Sequence, residues 1–221
     1  MLKKFHIISK RIFDLVFSII GILVLLPMLI LIAVLIKLDS KGPVLFIQSR
    51  LGLNGQVFKI LKFRSMIVNA EFTGTGIFNY NNDPRETRVG KILRNYSLDE
   101  LPQIFNIFIG NMSFVGPRPP ITYELGNYDD FTPDLKFRFL LKPGITGYSQ
   151  INGRNELNWN QKIIFDNEYI KDFYKWGIIL DIKVILITIY KVVKKEGSHE
   201  LLENSHLDMS RIDKSIKIKN K

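Results

Sequence analysis

Apolar residues are concentrated in two blocks of the sequence, one near each end of the chain. The first block runs from Leu15 to Ile36 without a charged residue. That length reaches the ~20 residues that an α-helix needs to cross the hydrocarbon core of a bilayer. It is also longer than the apolar core of a cleavable signal peptide, which is about 7–15 residues. The pattern therefore predicts an N-terminal membrane helix.

Pro27 lies inside this block, and basic residues flank the block on both sides. A proline inside a helix removes one backbone hydrogen bond and bends the helix. Basic residues prefer the cytoplasmic side of a membrane, and they occur before the block (Lys3, Lys4, Lys10 and Arg11) and after it (Lys37, Lys41 and Arg50). A helix that breaks at Pro27 and returns would place both flanks on one face. We expect this re-entrant hairpin over residues 1–40, with a kinked full span as the main alternative and a buried core helix as the remaining one.

The polar and apolar residues after this block alternate as they do in a β-hairpin. A strand is predicted at Gly42–Arg50, a turn at Asn54–Gly55 and a return strand at Val57–Met66. Because side chains alternate along a strand, Lys62 and Arg64 are expected on the same face. They form either a solvated basic edge or a pair of cations that bind one anionic ligand. The pattern alone does not decide between the two.

The segments after the hairpin are less regular until the second apolar block. Val68–Asn82 is polar and aperiodic, which predicts a mobile loop or lid. An amphipathic helix is predicted at Trp159–Tyr174, and the apolar block Trp176–Val193 follows it. Asp181 interrupts this block, and the lysines Lys191, Lys194 and Lys195 lie at its end. We therefore expect a helix that lies on a membrane surface rather than one that crosses it.

These patterns together predict an α+β fold that is mainly helical. The fold contains an N-terminal re-entrant helix-break-helix anchor over residues 1–40, and a central domain over residues 41–195 with a small β-hairpin and amphipathic interfacial helices. The polar tail over residues 196–221 is expected to be flexible.

Composition narrows the chemistry that the central domain can perform. The chain has 221 residues, no Cys and a formal net charge of +10. The absence of Cys excludes disulfides and thiolate metal sites. His6, His199 and His206 all lie outside the central motifs, so a metal there would be a hard cation on oxygen ligands. The basic charge suits nucleic acid, anionic lipid and a phosphorylated substrate equally well.

The segment Arg94–Gln103 places two adjacent carboxylates, Asp99 and Glu100, near a predicted helix N-terminus. Either Ser97 or Asp99 can cap that helix, and Pro102 favours Asp99. The alternative is a purely structural role, in which Ser97 and Glu100 form a capping box. Cations surround the pair, however: Arg85, Arg88, Lys91 and Arg94 precede it, and Arg118 follows on a stiff proline-rich stretch. This arrangement favours a site for a phosphate and a metal ion.

Several ordered motifs resemble those of the monotopic phosphoglycosyl transferases, the bacterial sugar transferase family that begins polysaccharide and glycoconjugate assembly. The motifs are Lys62–Met66, Asp83–Arg85 with Thr87–Gly90, Ser97–Gln103, Ser113–Pro119, and Lys142–Gly147 with Gly153–Arg154. The resemblance extends over residues 10–193. Because no further apolar span precedes the anchor, the sequence resembles the short members of the family. One departure is Leu26 before Pro27, where the family often has a small hydroxyl residue.

The resemblance implies that the central domain is a catalytic phosphoglycosyl transferase domain. Such an enzyme moves a sugar 1-phosphate from a nucleoside-diphosphate sugar, usually a UDP-sugar, to undecaprenyl phosphate and releases UMP. Asp99 would be the nucleophile that forms a covalent aspartyl phosphosugar, and Glu100, together with Asp99, would hold Mg²⁺. The positions that match the family's other polar site residues are Lys62, Arg94, Arg118, Arg154 and Asp181.

The resemblance also implies where the protein works and with what. It places the chain on the bacterial inner membrane with its site on the cytoplasmic face. It implies contact with membrane lipid and no binding of nucleic acid, and it leaves the sugar, the glycan pathway and the oligomeric state open, a homodimer included. Two other functions compete. A membrane-anchored basic binding protein would explain the charge but not adjacent carboxylates among arginines, and a glycosyltransferase that moves the sugar alone would release UDP.

Overall fold

The computed structural model describes residues 2–74, 83–153 and 156–194. The fold is α+β and mainly helical, as predicted. Its helices and strands, in chain order, are α1 (Leu2–Asp39), β1 (Leu45–Leu51), β2 (Val57–Phe63), α2 (Arg88–Asn95), α3 (Gln103–Ile109), β3 (Ser113–Val115), α4 (Pro133–Phe137), β4 (Gly144–Thr146), α5 (Tyr148–Ile151), α6 (Trp159–Trp176) and α7 (Ile178–Val193). Short 3₁₀ turns connect several of them.

Helix α1 is the longest element, with 38 residues, and it carries Pro27 inside it. Its backbone is assigned as helix on both sides of Pro27, so the predicted interruption into two helices is not seen. The return of the chain to the same membrane face stays a prediction. The helix is long and apolar enough to cross a membrane, and only 17% of its most apolar stretch is buried. A core helix of a soluble protein would be mostly covered, so that alternative is wrong.

Both halves of α1 contact the rest of the fold. Before Pro27, Lys10 pairs with Asp181 of α7 at 2.5 Å. After Pro27, Ile32 and Ile36 pack in an apolar cluster with residues of β2, α2 and α3. The contacts therefore run along most of the helix, and its two ends lie against one domain.

The predicted hairpin is confirmed by strands β1 and β2. They pair in antiparallel register from Leu45 opposite Phe63 to Leu51 opposite Val57. The turn contains Asn54 with φ 51° and Gly55 with φ 76°, the left-handed values that an Asn-Gly turn supplies. The strands are shorter than predicted, because β2 ends at Phe63.

A second, parallel sheet joins two of the sequence motifs. Strand β3 pairs with β4, with Ser113 opposite Gly144 and Val115 opposite Thr146. Helices α6 and α7 cover this pair, and Val115 shares an apolar cluster with Tyr169, Phe173 and Val184, among others. This packing holds the start of the Gly116–Pro120 motif against the core.

Helix α6 is amphipathic and α7 is strongly apolar, as predicted. Helix α6 begins with a capping box in which Asn158 and Gln161 bond each other's backbone N–H. Helix α7 buries Leu180, Asp181 and Val184 but exposes a row of large apolar residues, namely Ile179, Ile182, Leu186, Ile189 and Val193. Its predicted position on a membrane surface is compatible with this exposed face and stays a prediction.

Two sequence-based predictions lie partly or wholly outside the described residues. The loop predicted over Val68–Asn82 is described as far as Gly74, and Ala70–Phe72 in it form a 3₁₀ turn. The polar tail from Glu196 onward lies outside the described part of the chain.

Candidate active site

A cleft of about 430 Å³ opens between the β1–β2 hairpin, the segment after β2, the proline-rich motif Gly116–Pro120 and the start of α6. This volume falls within the ~300–1,000 Å³ that is usual for small-molecule sites. The side chains lining it include the cations Arg50, Lys62, Arg64, Arg94, Arg118 and Lys162, and the carboxylates Glu71, Asp99 and Glu124. A concentration of cations of this kind suits a ligand that carries several negative charges.

Asp99 and Glu100 lie on a short 3₁₀ turn, Leu98–Glu100, between α2 and α3. Ser97 precedes the turn in the left-handed region with φ 56°, and its side chain makes no capping hydrogen bond. The residue before α3 is Pro102, whose side chain has no polar atom that could cap the helix. The predicted caps are therefore wrong. Both carboxylates are instead largely buried, and Asp99 lines the cleft.

Glu100 brings together two of the cations that the sequence singled out. Its Oε1 accepts a hydrogen bond from Lys62 Nζ at 2.7 Å and lies 3.5 Å from Arg118 Nη2. Burial lowers the pKa of Lys62, and the negative charge of Glu100 opposes that shift. Glu100 thus contacts both Lys62 and Arg118, which line the cleft together with Asp99.

Arg94 reaches the cleft because α2 packs closely against the chain that follows β2. Gly90 makes this approach possible, since a Cβ at that position would lie 1.8 Å from the Ser65 carbonyl oxygen. The Arg94 guanidinium then lies 3.2 Å from Glu86 Oε1 and donates to Ser65 Oγ at 3.2 Å. Thr87 caps α2 by accepting from the Gly90 N–H.

Arg64 does not join Lys62 as predicted. Its guanidinium donates to the carbonyl oxygens of Pro43 at 2.6 Å, Lys41 at 2.9 Å and Ser40 at 2.9 Å. It therefore holds the chain that leaves α1, although part of it still lines the cleft. The strand alternation that paired it with Lys62 fails because β2 ends at Phe63. The alternative of a solvated edge also fails, since Arg64 is only 5% exposed.

Asp181 lies away from the cleft, which does not support the substrate-binding role that the resemblance implied. It is 1% exposed in the first turn of α7, pairs with Lys10 and accepts a hydrogen bond from Tyr169 Oη at 2.8 Å. These contacts tie α7 to α1 and α6. Arg154, the other predicted substrate-binding residue near the C-terminal motifs, lies outside the described residues.

Gln48, Arg50 and Glu71 form a hydrogen-bonded chain along the cleft that the sequence interpretation missed. Arg50 Nη2 donates to Gln48 Oε1 at 2.6 Å, and Gln48 Nε2 donates to Glu71 Oε2 at 2.9 Å. Burial lowers the pKa of Arg50 to about 10. The strand register contained a usable signal, because Gln48 and Arg50 share a hairpin face with Lys62.

Asp99 and Glu100 also have the donor chemistry for a magnesium ion. Mg²⁺ is usually held by one or two carboxylates, with water and substrate phosphate oxygens completing its octahedron. Among the described residues there is no group of three His, Cys, Asp or Glu side chains that could enclose a metal. Asp99 lines the cleft, and Oε1 of the adjacent Glu100 contacts Lys62 and Arg118, so the binding of magnesium by this pair stays a prediction.

Comparisons with known proteins agree on one family. Residues 5–195 match the family model described as bacterial sugar transferase. An undecaprenyl-phosphate glucose phosphotransferase of Komagataeibacter xylinus is 42% identical over 200 residues, covering 87% of this chain and 37% of that protein. A UDP-glucose:undecaprenyl-phosphate glucose-1-phosphate transferase of Klebsiella pneumoniae is 42% identical over 195 residues, covering 86% of this chain and 41% of that protein. The exopolysaccharide production protein ExoY of Sinorhizobium fredii is 37% identical over 206 residues, covering 87% of this chain and 88% of that protein. The chain thus spans about two fifths of the length of the first two relatives and most of the third.

Proposed function

The chain belongs to the bacterial sugar transferase family, and we propose that it transfers a sugar phosphate from a UDP-sugar to undecaprenyl phosphate, with release of UMP. The names of the relatives supply the donor and the acceptor. The observation that carries the proposal is the position of Asp99, which lines the cleft together with Lys62, Arg94 and Arg118. A basic binding protein would not need a buried carboxylate among these cations. The product would start an exopolysaccharide, capsule, O-antigen or glycoprotein glycan.

Asp99 is the proposed nucleophile, and the reaction has two steps. In the first, an Asp99 carboxylate oxygen bonds the sugar-bearing phosphorus while the bond between the two phosphates breaks, and UMP leaves with the electron pair. In the second, a phosphate oxygen of the lipid bonds the same phosphorus, and the bond to Asp99 breaks to restore the carboxylate. Covalent catalysis of this kind splits one difficult transfer between two bulky substrates into two steps.

Phosphoryl transfer depends chiefly on positioning and on neutralising the charge of the transferred group. Lys62 is held by its hydrogen bond to Glu100 before a substrate binds, and the Arg118 guanidinium lies 3.5 Å from the same carboxylate oxygen. Arg94 contributes a further positive charge to the same cleft. A magnesium ion bound by Glu100 and Asp99 would supply additional charge neutralisation at the phosphates.

A lipid acceptor requires the cleft to face a membrane surface. Helix α1 and helix α7 expose large apolar side chains along their lengths, and contacts on both sides of Pro27 hold α1 against one domain. A straight span would carry one end of α1 away from that domain. This arrangement supports a helix whose two ends lie on one membrane face, and the basic flanks favour the cytoplasmic face of the bacterial inner membrane.

The decisive experiment uses the full chain in lipid vesicles with undecaprenyl phosphate, Mg²⁺ and a panel of UDP-sugars. We expect UMP release with at least one donor and a covalent sugar-phosphate adduct on Asp99 by mass spectrometry. Asp99→Asn should lower turnover by ~10³-fold or more, because it removes the nucleophile. Asp130→Asn, which changes an exposed carboxylate, is the matched control. Release of UDP instead of UMP, or full turnover in Asp99→Asn, would contradict the proposal.

A further inference from the structure

The proline-rich motif that carries Arg118 is held through its carbonyl oxygens. In Pro117–Pro120, four successive carbonyls accept hydrogen bonds from three different segments of the chain. The donors are Gly144 N to Pro117 at 3.0 Å, Arg138 Nη2 to Arg118 at 2.7 Å, Arg50 Nη1 to Pro119 at 2.9 Å and Leu51 N to Pro120 at 3.0 Å. Because proline has no N–H, carbonyls are the main backbone groups by which this motif can be fixed.

The Arg138 donor is fully buried and is itself held by an acidic partner. Arg138 is 1% exposed, and its Nε and Nη2 donate to Asp166 Oδ2 at 3.1 and 2.7 Å. Ser149 Oγ donates to the other Asp166 oxygen at 2.9 Å. The guanidinium carbon lies over the Trp159 ring, 5.0 Å from the ring centroid. These contacts leave the guanidinium little freedom to move.

Arg138 and Asp166 are not among the described residues that line the cleft, so they do not meet the substrate directly. Their connection to the cleft is the Arg118 carbonyl. The Arg118 side chain is 29% exposed, and its 3.5 Å separation from Glu100 is longer than a strong charge-assisted hydrogen bond. Glu100 therefore does not fix the Arg118 guanidinium tightly, and the backbone has to set where it points.

A buried ion pair contributes little net stability, because removing both charges from water offsets their attraction. A role in placing another residue accounts better for the Arg138–Asp166 pair. We propose that Arg138 is a positioning residue that acts through the Arg118 carbonyl and keeps the Arg118 guanidinium directed at the cleft. The expected effect of Arg138 on kcat/KM rests on the proposed function, whereas its expected effect on the backbone around Arg118 does not.

The kinetic test is a double-mutant cycle between Arg138→Lys and Arg118→Lys. The lysine keeps the positive charge facing Asp166 but replaces a planar group that serves both acceptors with a single nitrogen. We expect Arg138→Lys to lower kcat/KM by ~10–100-fold, the size of effect that a small misplacement in a site produces. The loss caused by Arg138→Lys should be divided between kcat and KM in the same proportion as the loss caused by Arg118→Lys. In the Arg118→Lys background, the same change should alter kcat/KM by less than about 2-fold.

The control is Leu135→Ala, a truncation one turn earlier in α4 whose side chain is 1% exposed. It should lower the melting temperature without touching the Arg118 carbonyl, and should leave kcat/KM per folded molecule unchanged. A purely structural role for Arg138 predicts equal losses of activity from Arg138→Lys in both backgrounds. That result would overturn the inference.

Hydrogen–deuterium exchange over residues 113–121 provides a readout that needs no substrate. Arg138→Lys should speed exchange at the Arg118 and Ile121 amides beyond any change seen in Leu135→Ala, and unchanged exchange would refute the inference. If Arg138→Lys does not fold, Asp166→Asn tests the same link, because it keeps the shape of the partner while removing its charge. A wild-type protein that releases no UMP would refute the proposed function alone, and the exchange data would still decide the role of Arg138.

Discussion

Lys62 is a largely buried cation paired with a buried carboxylate, and we expect this pairing to affect how the candidate site responds to pH. Burial disfavours the charged form of a lysine and lowers the pKa of Lys62, while Glu100 favours the charged form. Because burial is the larger effect, Lys62 loses its proton at a lower pH than an ordinary lysine. The protonated form is the one that neutralises phosphate charge, so activity should fall as pH rises through this lowered pKa.

Replacing Lys62 with arginine should therefore extend activity to higher pH. The guanidinium keeps its proton throughout the accessible range, so the alkaline limb of the kcat/KM profile should move upward in Lys62→Arg, although the maximum rate falls because the fit to Glu100 changes. The control is Lys59→Arg, since Lys59 is exposed and donates to Ser49 Oγ at 2.7 Å. An alkaline limb that stays in place in Lys62→Arg would show that Lys62 does not set it.

At the scale of elements, α1 is attached to the domain by a buried polar cluster as well as by apolar packing. Lys10 of α1 pairs with Asp181 of α7, and Tyr169 of α6 donates to the same carboxylate. Asp14, one turn after Lys10, accepts from Ser113 Oγ at 2.9 Å and from the Phe114 N–H at 3.1 Å. These bonds link α1 to α6, α7 and β3, and thus to the start of the motif that carries Arg118.

Asp181→Asn should therefore reduce stability without weakening the binding of the sugar donor. Removing one partner of a buried ion pair leaves the other charge uncompensated, and such changes typically cost about 3–5 kcal/mol. We expect a lower melting temperature in detergent and, for the folded fraction, an unchanged KM for the UDP-sugar. Asp130→Asn serves again as the exposed control. A raised KM at unchanged stability would instead support the substrate-binding role that the family resemblance implied.

At the scale of the whole molecule, the fold separates an apolar surface from a cation-lined cleft. The apolar surface consists of the exposed faces of α1 and α7, together with Phe108 and Ile109 at the end of α3. Arg11 of α1 donates to the carbonyl oxygens of Ile107 and Phe108, so this end of α3 is held against α1. A surface of this kind can be covered by lipid while the cleft stays open to a water-soluble donor.

The sidedness of α1 can be measured directly, because the natural chain has no cysteine. Lys4→Cys and Lys41→Cys each place one thiol at an exposed position near an end of α1. If α1 returns to the face from which it enters, a membrane-impermeant maleimide should label both variants from the cytoplasmic side of inverted vesicles and neither from the opposite side. Labelling of the two thiols from opposite sides would establish a full span. Lys171→Cys, on the exposed surface of α6, reports the side on which the domain lies.

The sequence by itself determined the features that depend on residues close together in the chain. Hydrophobic period and length predicted α1, α6 and α7, and Asn54–Gly55 predicted the hairpin, because secondary structure follows local geometry. The adjacent pair Asp99–Glu100 also stood out locally, and the ordered motifs around it indicated the family. The same local rules failed where an element ended earlier than its pattern, as at Arg64 just beyond β2.

Only the tertiary structure decided which distant side chains meet. Lys62 reaches Glu100 across 38 positions of sequence, and Lys10 reaches Asp181 across 171. No periodicity carries that information, because such pairs form only when separate elements pack and exclude water. Packing therefore placed Asp181 in a structural cluster rather than in the cleft, and it showed Arg138 holding the backbone of Arg118. Residue types along the chain define the chemistry that is available, and the packing of elements selects which of those residues share a site.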